Sequence, residues 1–308
     1  MHDEMDLRLP TTPRAGHARP TMSRADDERL GETRRSWNLA TQAHNRHKHD
    51  QAGFLRQGGS TLFPEETELV GELRGQRLLH LLCNAGQDTL SLASRGARVT
   101  GVDLSDEAIT FATRLAGDAN VPDATFIRSD AQSFLETAEA NSFDVVFMSY
   151  GALIWIADIQ RLFRGIARVL APGGRYVNLD FHPLVWCFDK DLRLGSEPYF
   201  APGHVYSDPV SDYVAASGAA LAPSGLTAIA DEPTFVNPHS AHSYQHTVAD
   251  QLTAMIGAGL TITTVREYPY ANGCRVNPAL ALREGRRFTT PDGAPSLPLM
   301  LGVVATRP

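Results

Sequence analysis

Three cysteines in 308 residues, Cys83, Cys187 and Cys274, are too few and too irregularly spaced for a disulfide framework or a zinc pattern. A reducing, cytoplasmic setting fits such a chain best. No apolar run approaches the roughly eighteen residues a membrane helix needs. The opening MHDEMDLRLPTTPRAG is charged and proline-bearing, with no apolar signal-peptide core. Basic excess is missing too. Lys and Arg number 28 against 35 Asp and Glu, a net −7, which argues against nucleic acid or an anionic membrane as the main partner. Lysine itself stands only at Lys48 and Lys190, and arginine carries nearly all the positive charge. The chain has no internal repeat and no low-complexity core segment.

What is present is enough apolar material, 43% of the residues, for one large domain or a domain with an elaborated cap. The stretch Arg77 to Asp103 reads as strand, tight turn, helix, strand. Leu78 to Cys83 is a short apolar run, Asn84-Ala85-Gly86 a turn in which Gly86 accepts a positive φ, and Gln87 to Ser94 a short helix. Arg98 to Val102 returns as a second strand ending in Asp103. A small-residue turn lets a ligand approach the backbone, and an acid seventeen residues beyond Gly86 can reach a ribose hydroxyl pair.

The remaining chain is read against that half-fold. Residues 1–33, rich in charge and proline, are expected to be disordered or arm-like, and residues 34–74 to hold N-terminal helices, one from Arg34 to Phe54. His44, His47 and His49 do not share one helical face, so no metal site is expected there. Ser60 or Thr61 is expected to cap a helix opening at Pro64. Further strands follow at Ala124–Arg128, Phe143–Met148 and Arg175–Phe181, alternating with helices. That rhythm predicts an α/β, doubly wound sheet over a core spanning residues 75–181. The rhythm stops over residues 182–245, an aromatic- and proline-rich stretch expected to cap the carboxyl edge of the sheet. Residues 246–308 return to the core with a loop insertion, completing seven strands.

In order, LLHLLCNAG, VTGVDLS, SDAQSF, FDVVFMSYG and LAPGGRYV resemble the class I S-adenosylmethionine-dependent methyltransferases, of the small-molecule, natural-product tailoring kind. The resemblance covers about 75–181, and more loosely the C-terminus. It implies a Rossmann-like seven-stranded sheet with the last strand antiparallel, and S-adenosylmethionine as cofactor. It also implies that Cys83, Asn84 and Gly86 border the amino-acid end of that cofactor, with Gln87 after the turn. Asp103, with Leu104 beside it, would hold the ribose hydroxyls, Asp130 with Ala131 the adenine, and Ser149 with Tyr150 the methionine moiety. The chain departs from the family pattern at His80, where an acid is usual, and at Leu82 and Asn84, where glycines are. His80 reads equally as a cofactor contact and as a core histidine. A nicotinamide-dependent reading fares worse, because the turn lacks G-x-G-x-x-G spacing.

Methyl transfer is an in-line displacement, so alignment matters most, with about 7–11 kcal/mol available from orientation. A general base adds about 100- to 10,000-fold where the acceptor loses a proton. The base candidates are Tyr150 after the fourth strand, His182 directly after the fifth, and His246 at the start of the helix that follows the cap. Trp155, Trp186 and Tyr244 are the candidate acceptor-binding rings. An acidic chain with an aromatic cap suits a small aromatic or nitrogen-heteroaromatic acceptor, indole-type carbon or ring nitrogen included, better than nucleic acid or membrane. The alternatives are oxygen or carboxyl methylation of a small metabolite, and a binding protein or cyclase that keeps S-adenosylmethionine as a structural ligand. A homo-oligomer is compatible with all of these.

Overall fold

A computed structural model of the chain describes residues 24–227 and 235–308. The strands are β1 (Arg77–Leu81), β2 (Arg98–Asp103), β3 (Thr125–Arg128), β4 (Phe143–Ser149), β5 (Leu170–Phe181), β6 (Val205–Asp208), β7 (Ala241–Tyr244), β8 (Thr261–Tyr268), β9 (Ala271–Asn272), β10 (Ala281–Arg283), β11 (Arg287–Thr289) and β12 (Met300–Thr306). The helices are α1 (Arg24–Arg46), α2 (Gln51–Arg56), α3 (Pro64–Val70), α4 (Gln87–Ala93), α5 (Asp106–Asp118), α6 (Ala131–Thr137), α7 (Ile159–Val169), α8 (Tyr213–Ser217) and α9 (Val248–Gly257).

Alternation along the central strands sends successive side chains to opposite faces. Leu79, Leu81, Val146 and Met148 join one buried cluster with α7 and α9, while Leu78, Val145, Phe147 and Val177 join another with α3 and β11. Burial on both faces is the reason these strands read as continuous apolar runs. The main sheet runs β3-β2-β1-β4-β5-β12-β8, parallel from β3 to β5, with β12 antiparallel to both β5 and β8. This is the doubly wound α/β arrangement with an antiparallel last strand that the sequence pattern implies. In α7, Ile159, Leu162, Phe163, Ile166 and Val169 form the buried stripe, and Asp158 caps its start by accepting from the amide of Arg161 at 2.8 Å. Among the described residues, no helix is long and apolar enough to cross a membrane.

Several local expectations shift. The helix expected from Arg34 already runs from Arg24, the first described residue, and stops at Arg46; Asp50 then caps α2, accepting from the amide of Gly53 at 2.7 Å. Of the arm expected over 1–33, residues 1–23 lie outside the described residues and the rest is helical. Neither Ser60 nor Thr61 caps α3. Phe63 occupies that position, its amide donating to Glu66 Oε2 at 2.7 Å, while the Thr61 hydroxyl turns to Asp88. Of the expected cap, residues 228–234 lie outside the described residues. Its described part contains the antiparallel ribbon β6–β7 and α8, and Val210, Tyr213 and Ala241 pack with Trp37 and Ala40 of α1. The later insertion folds into a small sheet, β10-β11-β9, anchored by the fully buried Phe288.

Candidate functional site

At the carboxyl edge of β1 the backbone makes three left-handed steps, at Leu82 (φ 54°), Asn84 (φ 48°) and Gly86 (φ 81°). The first is costly for a leucine, about 1–2 kcal/mol, and the surroundings hold it. Cys83 N donates to Val102 O at 3.0 Å, Asn84 N to Asp103 Oδ2 at 2.8 Å, and Ala85 N to the Asn84 side chain at 2.6 Å. The chain thus keeps a glycine-type turn without glycines at two of the three places. Gly86 is needed for packing as well as for φ, since a Cβ there would stand 2.7 Å from Ala112 Cβ. It does not face the cavity described next.

Between this turn, the loop after β4, α1 and the cap lies a cavity of about 540 Å³, within the range of small-molecule sites. Asp103 and Asp130 open onto one wall of it, with Leu104 and Ala131 beside them. Asp103 Oδ1 accepts from Ser105 N and Oδ2 from Asn84 N, both at 2.8 Å, which leaves each oxygen capacity for a further donor. Burial pushes its carboxyl up, and the amides of Ser105, Asn84 and Leu104 pull it back. Asp130 caps α6 through Oδ1 alone, at 3.1 and 3.0 Å from the amides of Gln132 and Ser133, so Oδ2 has no partner among the described residues.

Cys83, Asn84, Gln87, Ser149 and His80 also line the cavity. His80 is 2% exposed, its Nδ1 lies 2.8 Å from Thr89 Oγ1, and its ring meets Phe147 edge-on at 5.0 Å. Burial lowers its pKa from 6.5 to about 4, so the imidazole is neutral at physiological pH. Gln87 Nε2 donates to Asn45 Oδ1 at 3.0 Å and Gln51 Oε1 at 2.6 Å, tying α4 to the N-terminal helices. Burial pushes the Cys83 thiol well up, which keeps it inert.

The opposite wall is aromatic. Trp155 meets Trp37 edge-on at 5.5 Å, Trp186 meets Phe181 at 6.3 Å, and Tyr213 lies against His44 at 4.1 Å; Tyr244 joins the same wall. Tyr150, at φ 39°, stands where the loop after β4 turns. That loop is pinned by the buried Asp180, whose carboxylate accepts from the amides of Gly151, Ala152, Leu153 and Phe181. The Tyr150 hydroxyl accepts from Asn272 Nδ2 at 3.1 Å. Burial, and then the neighbouring Glu66, raise the phenol well above its ordinary value. Tyr150 is therefore a hydrogen-bond donor at neutral pH rather than a base.

The two histidines singled out as bases do not line the cavity. His182 is 5% exposed; Nδ1 accepts from Leu184 N at 3.1 Å and Nε2 meets Glu267 Oε1 at 2.9 Å, so it caps the turn after β5 and ties it to β8. His246 Nε2 lies 2.6 Å from Ile156 O, joining the cap's end to the loop after β4. The imidazoles that do reach the wall are engaged as well. His44 Nε2 meets Ser211 O at 2.9 Å, while His242 meets Glu32 at 2.8 Å and Ser207 at 2.9 Å. No group of three or more His, Cys, Asp and Glu among the described residues is placed to hold a metal ion.

Sequence reasoning missed the contribution of α1. Asp26, Leu30, Thr33, Trp37 and His44 all line the cavity, at spacings that put them on one helical face. The signal was available as periodicity, but the stripe mixes polar with apolar residues. Lys48, Asp88, Asn272, Arg275 and Arg286 were missed as well, the last three because they lie in the late insertion.

Residues 79–178 match a family model described as a methyltransferase domain. An uncharacterized methyltransferase of Synechocystis is 38% identical over 39% of this chain and 54% of its own length. An S-adenosyl-L-methionine-dependent Diels-Alderase of Talaromyces variabilis is 36% identical over 42% of this chain and 46% of its own. The chain thus spans about half the length of these curated relatives. The crystal structure of an S-adenosylmethionine dependent methyltransferase from Mesorhizobium loti superposes with a TM-score of 0.51 at 22% identity, covering 81% of this chain and 99% of that one. At that identity the likeness is one of fold.

Proposed function

We propose that this chain, whose residues 79–178 carry a class I S-adenosylmethionine-dependent methyltransferase domain, transfers a methyl group from that cofactor to a small acceptor held under the aromatic wall. The observation that carries this reading is the pair Asp103 and Asp130. They stand at neighbouring strand ends and open on one cavity, each with an acceptor oxygen to spare. That is the donor-hungry wall a nucleoside requires, with ribose hydroxyls at Asp103 and the adenine amino group at Asp130. Leu82 and Asn84, already in glycine-type conformations, keep the turn in the shape that lets an amino-acid tail pass Cys83 and Asn84. When bound, S-adenosylmethionine supplies an electrophilic methyl group on a sulfonium.

The protein's own residues align the acceptor and exclude water. Trp37, Trp155 and Tyr213 offer ring edges and faces that suit a flat aromatic or nitrogen-heteroaromatic body. The Tyr150 ring, its hydroxyl held between Asn272 and Glu66, borders that body. Incubation with methyl-labelled cofactor and a panel of indoles, ring-nitrogen heteroaromatics, phenols and carboxylic acids, followed by mass analysis, tests the reading. A carbon- or nitrogen-methylated ring is the expected product. Exclusive methylation of oxygen or carboxyl acceptors would replace the heteroaromatic assignment.

A second reading draws on a specific observation. His182 and His246 do not line the cavity, and the Tyr150 phenol is raised well above its ordinary value. A cyclisation that keeps the cofactor as a structural ligand needs shape and no base, and one relative is named an S-adenosyl-L-methionine-dependent Diels-Alderase. Product formation without consumption of the cofactor would favour that reading.

A further inference from the structure

Four cationic side chains line the cavity, and one of them, Arg29, is paired with Asp26. Lys48, Arg275 and Arg286 have no carboxylate within ion-pair distance among the described residues. Uncompensated cations in a half-buried wall are costly unless an anion joins them. One acid lies near enough to bias both Lys48 and Arg286, namely Asp88, which is already engaged by the Thr61 hydroxyl. Glu66, close behind, has its carboxyl driven well up by burial.

The three cations fall into two groups. Lys48 sits beside the start of α4, between Asn45 and Gln51, both of which bind Gln87. There it can meet the carboxylate of the cofactor's amino-acid end. Arg275 and Arg286 come together from the late insertion, where Gly273 N donates to Arg286 O at 2.9 Å. Both reach the turn around residues 217–220: Arg275 N donates to Ser217 Oγ at 2.9 Å, and Arg286 Nη1 to Ala220 O at 3.2 Å. Arg286 lies over the Phe63 ring at 4.1 Å and gives a second bond to Thr61 O, so its guanidinium is fixed by neutral groups alone. Arg275 lies over Phe288 at 5.1 Å, and its buried Nε has no partner. A guanidinium held in place by rings and carbonyls presents its remaining N–H groups to an oxyanion.

We propose that the acceptor is an anion whose carboxylate or phosphate is held by Arg275 and Arg286. This rests on reading the cavity as the methyl-transfer site. The aromatic wall faces a basic corner that a wholly apolar acceptor would leave uncompensated.

Calorimetric titration of the protein saturated with S-adenosylhomocysteine tests it, using indole-3-carboxylate and phenyl phosphate against the neutral indole-3-carboxamide and phenol. At least one anion should bind about tenfold or more tighter than its neutral counterpart, the ratio expected for a charge-assisted hydrogen bond. Which anion does so separates a carboxylate from a phosphate acceptor. Arg286→Gln with Arg275→Gln should erase the preference while leaving S-adenosylhomocysteine affinity in place, and Arg286→Lys should restore part of it. Equal binding of charged and neutral probes, no binding of either anion at millimolar concentration, or a preference that survives the double substitution would overturn the proposal. Failure of S-adenosylhomocysteine to bind, with anion preference intact in the unloaded protein, would instead strike the methyl-transfer reading and leave the anion site standing.

Discussion

Asp103 spends one lone pair of each oxygen on a backbone amide and keeps the rest for the cavity, so its charge bears on both the turn and the ligand. Asp103→Asn preserves size but turns one acceptor into a donor. The affinity for S-adenosylhomocysteine should fall by about tenfold to a hundredfold, read by calorimetry, because charge-assisted hydrogen bonds are at stake. His80 and His44 make a different residue-scale statement. Burial takes both imidazoles from 6.5 to about 4, so between those values the unfolded chain holds protons that the folded chain refuses. Their contribution to stability is complete above pH 6.5 and is lost as pH falls through that window. Asp103 and Asp180, pushed up by burial, act in the opposite sense, so the comparison must be with a variant. Melting temperature should fall less on acidification from pH 7 to pH 4 in His80→Gln than in the wild type; identical slopes would contradict the assignment. Asp103 was legible in the sequence because it ends a strand a set distance beyond the glycine turn, and Asp130 through the family resemblance. His182 and His246 were not, because what decides their roles is Glu267 and Ile156, distant in the chain and near only after folding.

The loop after β4 is the element on which the acceptor wall depends. It places Tyr150 and Trp155, and Asp180 from β5 holds it through the amides of Gly151, Ala152 and Leu153. Asp180→Ala strands those buried N–H groups and should cost about 3 kcal/mol in denaturant unfolding, given about 1–3 kcal/mol for each unsatisfied group and partial relaxation. A loss within experimental error would mean that the loop is held by its packing alone. Strands and helices of the core were readable because apolar runs and small-residue turns are local signals. The part of α1 before Arg34 is hidden in the sequence: its turns are charged, and its cavity-facing stripe holds its place by contact with the cap rather than by apolar character. The small sheet β10-β11-β9 leaves no signal in the sequence because its strands are two or three residues long, below what periodicity can resolve.

At the scale of the whole molecule, the sheet order brings the ends of β1, β2 and β4 to one edge, while α1, the cap and the late insertion close over it from three separate stretches of sequence. The sheet could be read in advance because alternating strands and helices admit few arrangements. How the three covering stretches meet could not, since nothing local to any of them encodes the partner. The central claim is that a nucleoside with an amino-acid tail fills the space they enclose. Calorimetric titration of the full chain with S-adenosylmethionine, S-adenosylhomocysteine and NAD addresses it most directly. The first two should bind once per chain, compete with each other and weaken in Asp103→Asn, while NAD gives no signal. Silence from both sulfur nucleosides, or their displacement by NAD, would contradict it.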